Sequence, residues 1–180
     1  MGDVRFTGNW NSVNAHTVPK WYDDCKFGIF IHWGIYSVPA FAPHTWELGE
    51  VDSKEWFADN PYAEWYYNSL NIGKGPTYKH HIEKYGKDFK YEDFIPMWKA
   101  ENWDPKQWAE IFKEAGAEYV VLTTKHHDGF CLFPSKYTHF NSVEMGPKRN
   151  ITGELTEAVR DAGIRMGLYY SGLIDWQYAN

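Results

Sequence analysis

Lys26-Phe-Gly-Ile-Phe-Ile-His-Trp-Gly34 is a short apolar run that ends on histidine, tryptophan and glycine. It is too short for a helix and rich in Ile and Phe, so it reads as a buried strand. Two later stretches have the same form. Glu118-Tyr-Val-Val-Leu-Thr-Thr-Lys-His-His127 predicts a second strand, and Arg165-Met-Gly-Leu-Tyr-Tyr-Ser171 a third. Between the second and third, residues 152–162 place Leu155, Ala158 and Val159 on one helical face and stop at Gly163. Before the second, Asp104-Pro105 opens a helix over 105–115, with Trp108, Ile111 and Phe112 on one face and Gly116 at its end. Residues 91–99 also look helical, limited by Pro96. The alternation predicts an α/β fold with a parallel βαβαβ series and right-handed crossovers.

Residues 35–90 interrupt this order. They hold Pro39, Pro43, Pro61 and Pro76 and many aromatic residues, and show no long period. A long insertion with short helices is expected: one at 54–59 capped by Ser53, one at 61–70 opened by Asn60 and Pro61, one at 77–84 ending before Gly86. Residues 1–20 read as an irregular arm.

Composition sets further bounds. The 180 residues suffice for one domain, and 43% apolar with 23% charged residues is an ordinary globular balance. No apolar run approaches the roughly 18 residues of a spanning helix, so no membrane role is expected. A net charge of −6 argues against nucleic acid as a partner. No secretory signal is visible at the start, and Phe6 stands where a myristoylation signal on Gly2 needs Ser or Thr. Cys25 and Cys131 make no disulfide framework and fit a reducing, cytoplasmic setting. The excess is aromatic, at 19%. Trp and Tyr match the mixed apolar and hydroxylated faces of a sugar ring, but they also fill bulky α/β interfaces.

All three strands end in polar or aromatic residues: His32-Trp33-Gly34, Lys125-His126-His127-Asp128-Gly129, and Tyr169-Tyr170-Ser171. Parallel α/β folds bind ligands at these strand ends. His126 and His127 are adjacent and point to opposite faces of a regular strand, so both reach one pocket only if the strand end kinks, as Gly129 allows. A metal held by His32, His126, His127 and Asp128 lacks the usual ligand spacing. No metal or cofactor is therefore expected. Imidazoles suit hydrogen bonds to sugar hydroxyls, as donor and acceptor at once. Glu64 lies among rings in Pro61-Tyr-Ala-Glu-Trp-Tyr-Tyr67, where it also serves as a helix-dipole partner. Asp175 follows the third strand in Gly172-Leu-Ile-Asp-Trp176. Glycoside cleavage needs two carboxyl groups across the bond, and spacing alone places no such pair.

Taken together, Phe27-Gly-Ile-Phe-Ile-His-Trp-Gly-Ile-Tyr-Ser-Val-Pro39, Glu64-Trp-Tyr66, Trp103-Asp-Pro-Lys-Gln-Trp108, Thr124-Lys-His-His-Asp-Gly-Phe130, Gly146-Pro-Lys-Arg149 and Leu168-Tyr-Tyr-Ser171 resemble the α-L-fucosidases of glycoside hydrolase family 29. The motifs run in family order from about residue 20 onward. The resemblance implies a partial (β/α)8, TIM-like barrel of about three β/α units and retaining hydrolysis of terminal α-L-fucose from glycans or aryl fucosides. It implies fucose contacts from His32, Glu64, Trp65, His126, His127 and Tyr169. Asn150 stands where the family commonly has Asp, a change expected to be structural.

The family's nucleophilic Asp sits on the next strand, in a Trp-Asn-Asp-like context that these residues lack, and the C-terminal β-sandwich is lacking too. The expectation is a single truncated domain over 1–180. Glu64 and Asp175, then Asp128, are its candidate catalytic carboxylates. Such an arc of strands is expected to form a homo-oligomer, on which activity depends. A non-catalytic fucose-binding module or an inactive barrel fragment is the alternative.

Overall fold

The computed structural model describes residues 6–44, 50, 53–58 and 60–178. Three parallel strands, β1 (Gly28–Ile31), β2 (Tyr119–Lys125) and β3 (Arg165–Tyr170), form one sheet in the order β1-β2-β3. The helices in chain order are α1 (Trp10–Asn14), α2 (Lys20–Asp24), α3 (Ser53–Trp56), α4 (Tyr66–Ile72), α5 (Pro76–Tyr85), α6 (Pro105–Glu114) and α7 (Ile151–Asp161). Single 3-10 stretches occupy Ile35–Ser37, Ala63–Trp65 and Tyr91–Met97.

β2 is the central strand, and Val120 and Leu122 on its helix-facing side are fully buried. Its first residue, Tyr119, pairs with Gly28, and the Tyr119 ring lies where a side chain on residue 28 would start. A Cβ there would sit 2.1 Å from a ring carbon, so any larger residue would displace the Tyr119 ring. Toward the other end the β2–β3 register breaks between Thr123 and Lys125: Thr123 pairs with Tyr169, and Lys125 with Tyr170. Thr124 is thus an extra residue, a β-bulge.

α6 begins at Asp104, whose carboxylate accepts from the Lys106 and Gln107 amides at 3.0 and 3.1 Å. α7 begins at Asn150, whose Oδ1 accepts from the Gly153 amide at 3.0 Å. Asn150 therefore has a structural role as a helix cap. On α7, Ile151, Leu155, Ala158 and Val159 are buried, following the helical period. On α6 the expected face needs correction: Ala109 and Phe112 are buried, whereas Ile111 is 53% exposed. Ile111 lies one residue off the stripe that packs against α7 and the sheet.

In the insertion the expected 61–70 helix is split into a 3-10 turn and α4, and α5 runs one residue further at each end than expected. The arm is less irregular than its sequence suggests, since Asn9 Oδ1 caps α1 by accepting from the Ser12 amide at 2.9 Å. The Ser53 cap, residue 59 and Gly2 lie outside the described residues and side chains. Many of the rings fill the core. Trp33 lies 5.0, 5.0 and 5.2 Å from the rings of Trp98, Trp103 and Trp108. A second cluster joins Tyr66, His81, Tyr85, Phe89 and Phe94. Among the described residues no helix is long and apolar enough to cross a membrane, and β1 and β3 each pair along one edge only.

Candidate functional site

At the end of β1 the alternation of strand side chains separates two neighbours. Trp33 joins the core tryptophans, while His32 stays exposed on the other side. At the end of β2 the Thr124 bulge removes that alternation, and Thr123, Thr124, Lys125 and His126 are all buried in succession. The chain then turns at His126–Gly129, where the Gly129 amide donates to the His126 carbonyl at 3.2 Å and Gly129 has φ +85°. Bulge and turn together bring His126 and His127 to one place, with ring centroids 4.3 Å apart. The kink that the sequence needed is present, and it starts upstream of Gly129.

The rings then form one continuous strip. Tyr169 meets Phe30 at 5.6 Å, Phe30 meets His32 at 4.8 Å, and His32 meets His126 at 5.3 Å. His127 meets Trp65 at 5.5 Å and Trp176 at 5.3 Å, and these two indoles lie 5.1 Å apart. Five of the six residues expected to touch a sugar, His32, Trp65, His126, His127 and Tyr169, are therefore joined by ring contacts. Glu64 precedes Trp65 in the same 3-10 turn and is half-buried. Its charge adds to burial and to Asp128 in holding the Tyr36 phenol protonated, well above its ordinary pKa.

The electrostatics favour neutral imidazoles. Burial, followed by the neighbouring His127, His32 and Lys125, pushes the His126 pKa down to about 3. Its Nδ1 is buried without a hydrogen-bond partner among the described residues. Burial, with Lys125 and His32, also lowers the His127 pKa, and its Nδ1 lies 2.5 Å from Ser171 Oγ. Burial thus favours the neutral form of both rings, in which one nitrogen donates and the other accepts.

The other carboxylates have protein partners. Asp128 is 1% exposed; it accepts from the Tyr91 hydroxyl at 2.8 Å and the Phe130 amide at 3.2 Å. Burial lifts its pKa to about 6. Asp175 lies 3.3 Å from Lys125 Nζ and accepts from the Gln177 amide at 3.1 Å. Among the described residues no group of three or more His, Cys, Asp or Glu is placed to hold a metal ion. Lys125, Ser171, Tyr36 and Trp176 join the site without a role that the sequence motifs predict. Lys125 does carry a signal, as a lone charge at the end of a strand predicted to be buried.

Comparison with known proteins identifies the setting. A family model described as "Alpha-L-fucosidase" matches residues 2–180. An α-L-fucosidase of Dictyostelium discoideum is 43% identical over 176 residues, 96% of this chain and 34% of that protein. A Thermotoga maritima α-L-fucosynthase in complex with α-L-Fuc-(1-2)-β-L-Fuc-N3 superposes with a TM-score of 0.92 at 58% identity, over 98% of this chain and 40% of that one. The Thermotoga maritima α-fucosidase in complex with fucose superposes at 0.87 and 56% identity, over 97% and 39%. The chain spans about a third of the length of the curated relatives it matches.

Proposed function

The chain belongs to the α-L-fucosidase family, and on that premise we propose that its strand ends bind the terminal α-L-fucose of a glycoside in a retaining hydrolase. The observation that carries the reading is the convergence of three imidazoles and an indole at the strand ends, with His126 beside His32 and His127, and His127 against Trp65. In this reading the histidines and Glu64 hydrogen-bond the sugar hydroxyls, and Trp65 with Trp176 covers its C–H face. The sheet serves as the first three strands of a (β/α)8 barrel, with the sugar at the carboxyl ends of the strands.

Retention requires two carboxyl groups about 5–5.5 Å apart. Of the three carboxylates in question, Glu64 is the one we place against the sugar. Asp175 and Asp128 already have protein partners and act in support of the site. The nucleophile then comes from outside these 180 residues, as the family resemblance implies. The open edges of β1 and β3 support self-association of this chain when it stands alone. A sedimentation experiment that finds a stable 21.1 kDa species contradicts that part of the reading.

A binding module without turnover is the second reading, supported by the protein partners of Asp128 and Asp175. L-fucose titration and release of the aryl group from an aryl α-L-fucoside separate the two. Both readings expect fucose binding, with a loss of roughly 1–3 kcal/mol in His126→Ala. Only the hydrolase reading expects the aryl group to be released. Unchanged affinity in His126→Ala removes the site assignment from both.

A further inference from the structure

Lys125 is a buried cation whose described polar contacts all lie on the segment after β3. Its ammonium donates to the Ser171 carbonyl at 2.9 Å and the Ile174 carbonyl at 3.3 Å, and lies 3.3 Å from the Asp175 carboxylate. It also sits 5.3 Å from the centre of the Tyr170 ring. The backbone reinforces the attachment: the Ser171 amide donates to the Lys125 carbonyl at 3.0 Å, and the Trp176 amide to the His127 carbonyl at 2.7 Å. Gly129 leaves room for the same arrangement, since a Cβ there would lie 2.5 Å from Asp175 Oδ1.

The segment so held carries two groups of the site. Ser171 Oγ fixes one nitrogen of His127, and Trp176 packs on His126, His127 and Trp65. We propose that Lys125 is a positioning residue that gathers residues 171–175 against the end of β2 and so sets the orientation of His127 and the location of Trp176. The effect on fucose rests on the function proposed above, whereas the effect on His127 and Trp176 does not. A buried ammonium needs several oxygen partners. Here one segment supplies them all, so removal of the charge releases that segment and strands the Asp175 carboxylate.

Lys125→Met tests this, because it keeps the aliphatic stem and deletes the charge. NMR of the ligand-free 180-residue chain reads the His127 ring and the Trp176 indole, with the exposed His139 as internal control. Shifts at His127 and Trp176 without a shift at His139 support the clasp. A folded variant with unchanged His127 and Trp176 signals overturns it, whatever fucose does. If wild-type chain fails to bind fucose, the function proposed above fails and the NMR result still decides the clasp. Where fucose binds, Lys125→Met weakens affinity by about tenfold, a typical coupling between contacting residues. The loss added by Ser171→Ala is then much smaller in the Lys125→Met background than in wild type. Full additivity contradicts a shared path. If Lys125→Met does not fold, Ser171→Ala alone must shift the His127 ring while the unfolding midpoint stays in place. An unmoved ring overturns the proposal.

Discussion

His81 and His126 are both buried among aromatic rings, at 2% and 5% exposure, yet they stand in opposite chemical positions. His81 lies between α4 and the 3-10 stretch at Tyr91–Met97, and both its nitrogens are engaged. Nδ1 pairs with the Tyr66 hydroxyl at 2.9 Å, and Nε2 with the Phe89 carbonyl at 2.7 Å. His126 has equally close rings around it and an Nδ1 that meets no described partner. The first histidine completes a core and the second keeps a core incomplete. Ring content and burial alone do not distinguish these two histidines; the hydrogen-bond accounting of their nitrogens does.

The largest expected effect lies on the structural side. His81→Ala removes a filled volume and leaves the Tyr66 hydroxyl and Phe89 carbonyl unpaired, so a loss of about 3 kcal/mol in urea unfolding is expected. The same truncation at His126 costs roughly half as much, because it also removes an unsatisfied nitrogen. Equal losses at the two positions break the comparison.

A smaller effect concerns pH. His126 has a folded pKa of about 3, below its ordinary value, so its contribution to stability is present above the ordinary histidine range and is lost as pH falls toward 3. Asp128 has a folded pKa of about 6, above its ordinary value. Its contribution is full below the ordinary carboxylate range and is lost as pH rises through 6. The two slopes oppose each other between about pH 4 and 6. Asp128→Asn removes the falling one, so stability in that window should rise with pH more steeply than in wild type, by on the order of 2 kcal/mol across it. A profile parallel to wild type, measured by chemical unfolding at each pH, contradicts this assignment.

The smallest effect sharpens the contrast. Tyr66→Phe keeps the ring and takes away the partner of His81 Nδ1, which makes His81 a close counterpart of His126. About 1 kcal/mol of stability should be lost, with no change in fucose affinity. A change in affinity would mean that the two histidine environments are coupled.

The sheet was legible because its signals are local. Val120 and Leu122 sit in an unbroken apolar run, and Leu155, Ala158 and Val159 repeat at helical spacing. Ile111 was misplaced because a three-to-four-residue period tolerates an apolar residue at the margin of a stripe, and only packing decides which edge is wet. The gathering of His32, His126 and His127 was expected from strand-end position and from family resemblance, and their rings do meet. The parts of the site that escaped the reading are made across the chain. Lys125 meets Ser171 and Asp175, and Tyr91 meets Asp128, through contacts between residues dozens of positions apart. Such pairs leave no trace in local spacing, whatever the composition.

The extra residue at Thr124 also has a consequence for how substitutions will be tolerated. From Tyr119 to Leu122 burial alternates in period two, so a saturation scan should show sensitive and permissive positions in turn. From Thr123, next to the bulge, that rhythm is lost. Thr124, Lys125, His126 and Asp128 are buried, and His127 is half-buried, so the scan should show an unbroken block of intolerance. Inserting or deleting one residue before the bulge reverses which side chains face the helices, while deleting Thr124 restores the alternation and turns one histidine out of the strip. The point at which the scan loses its beat would mark the neighbourhood of the bulge without any structure at all.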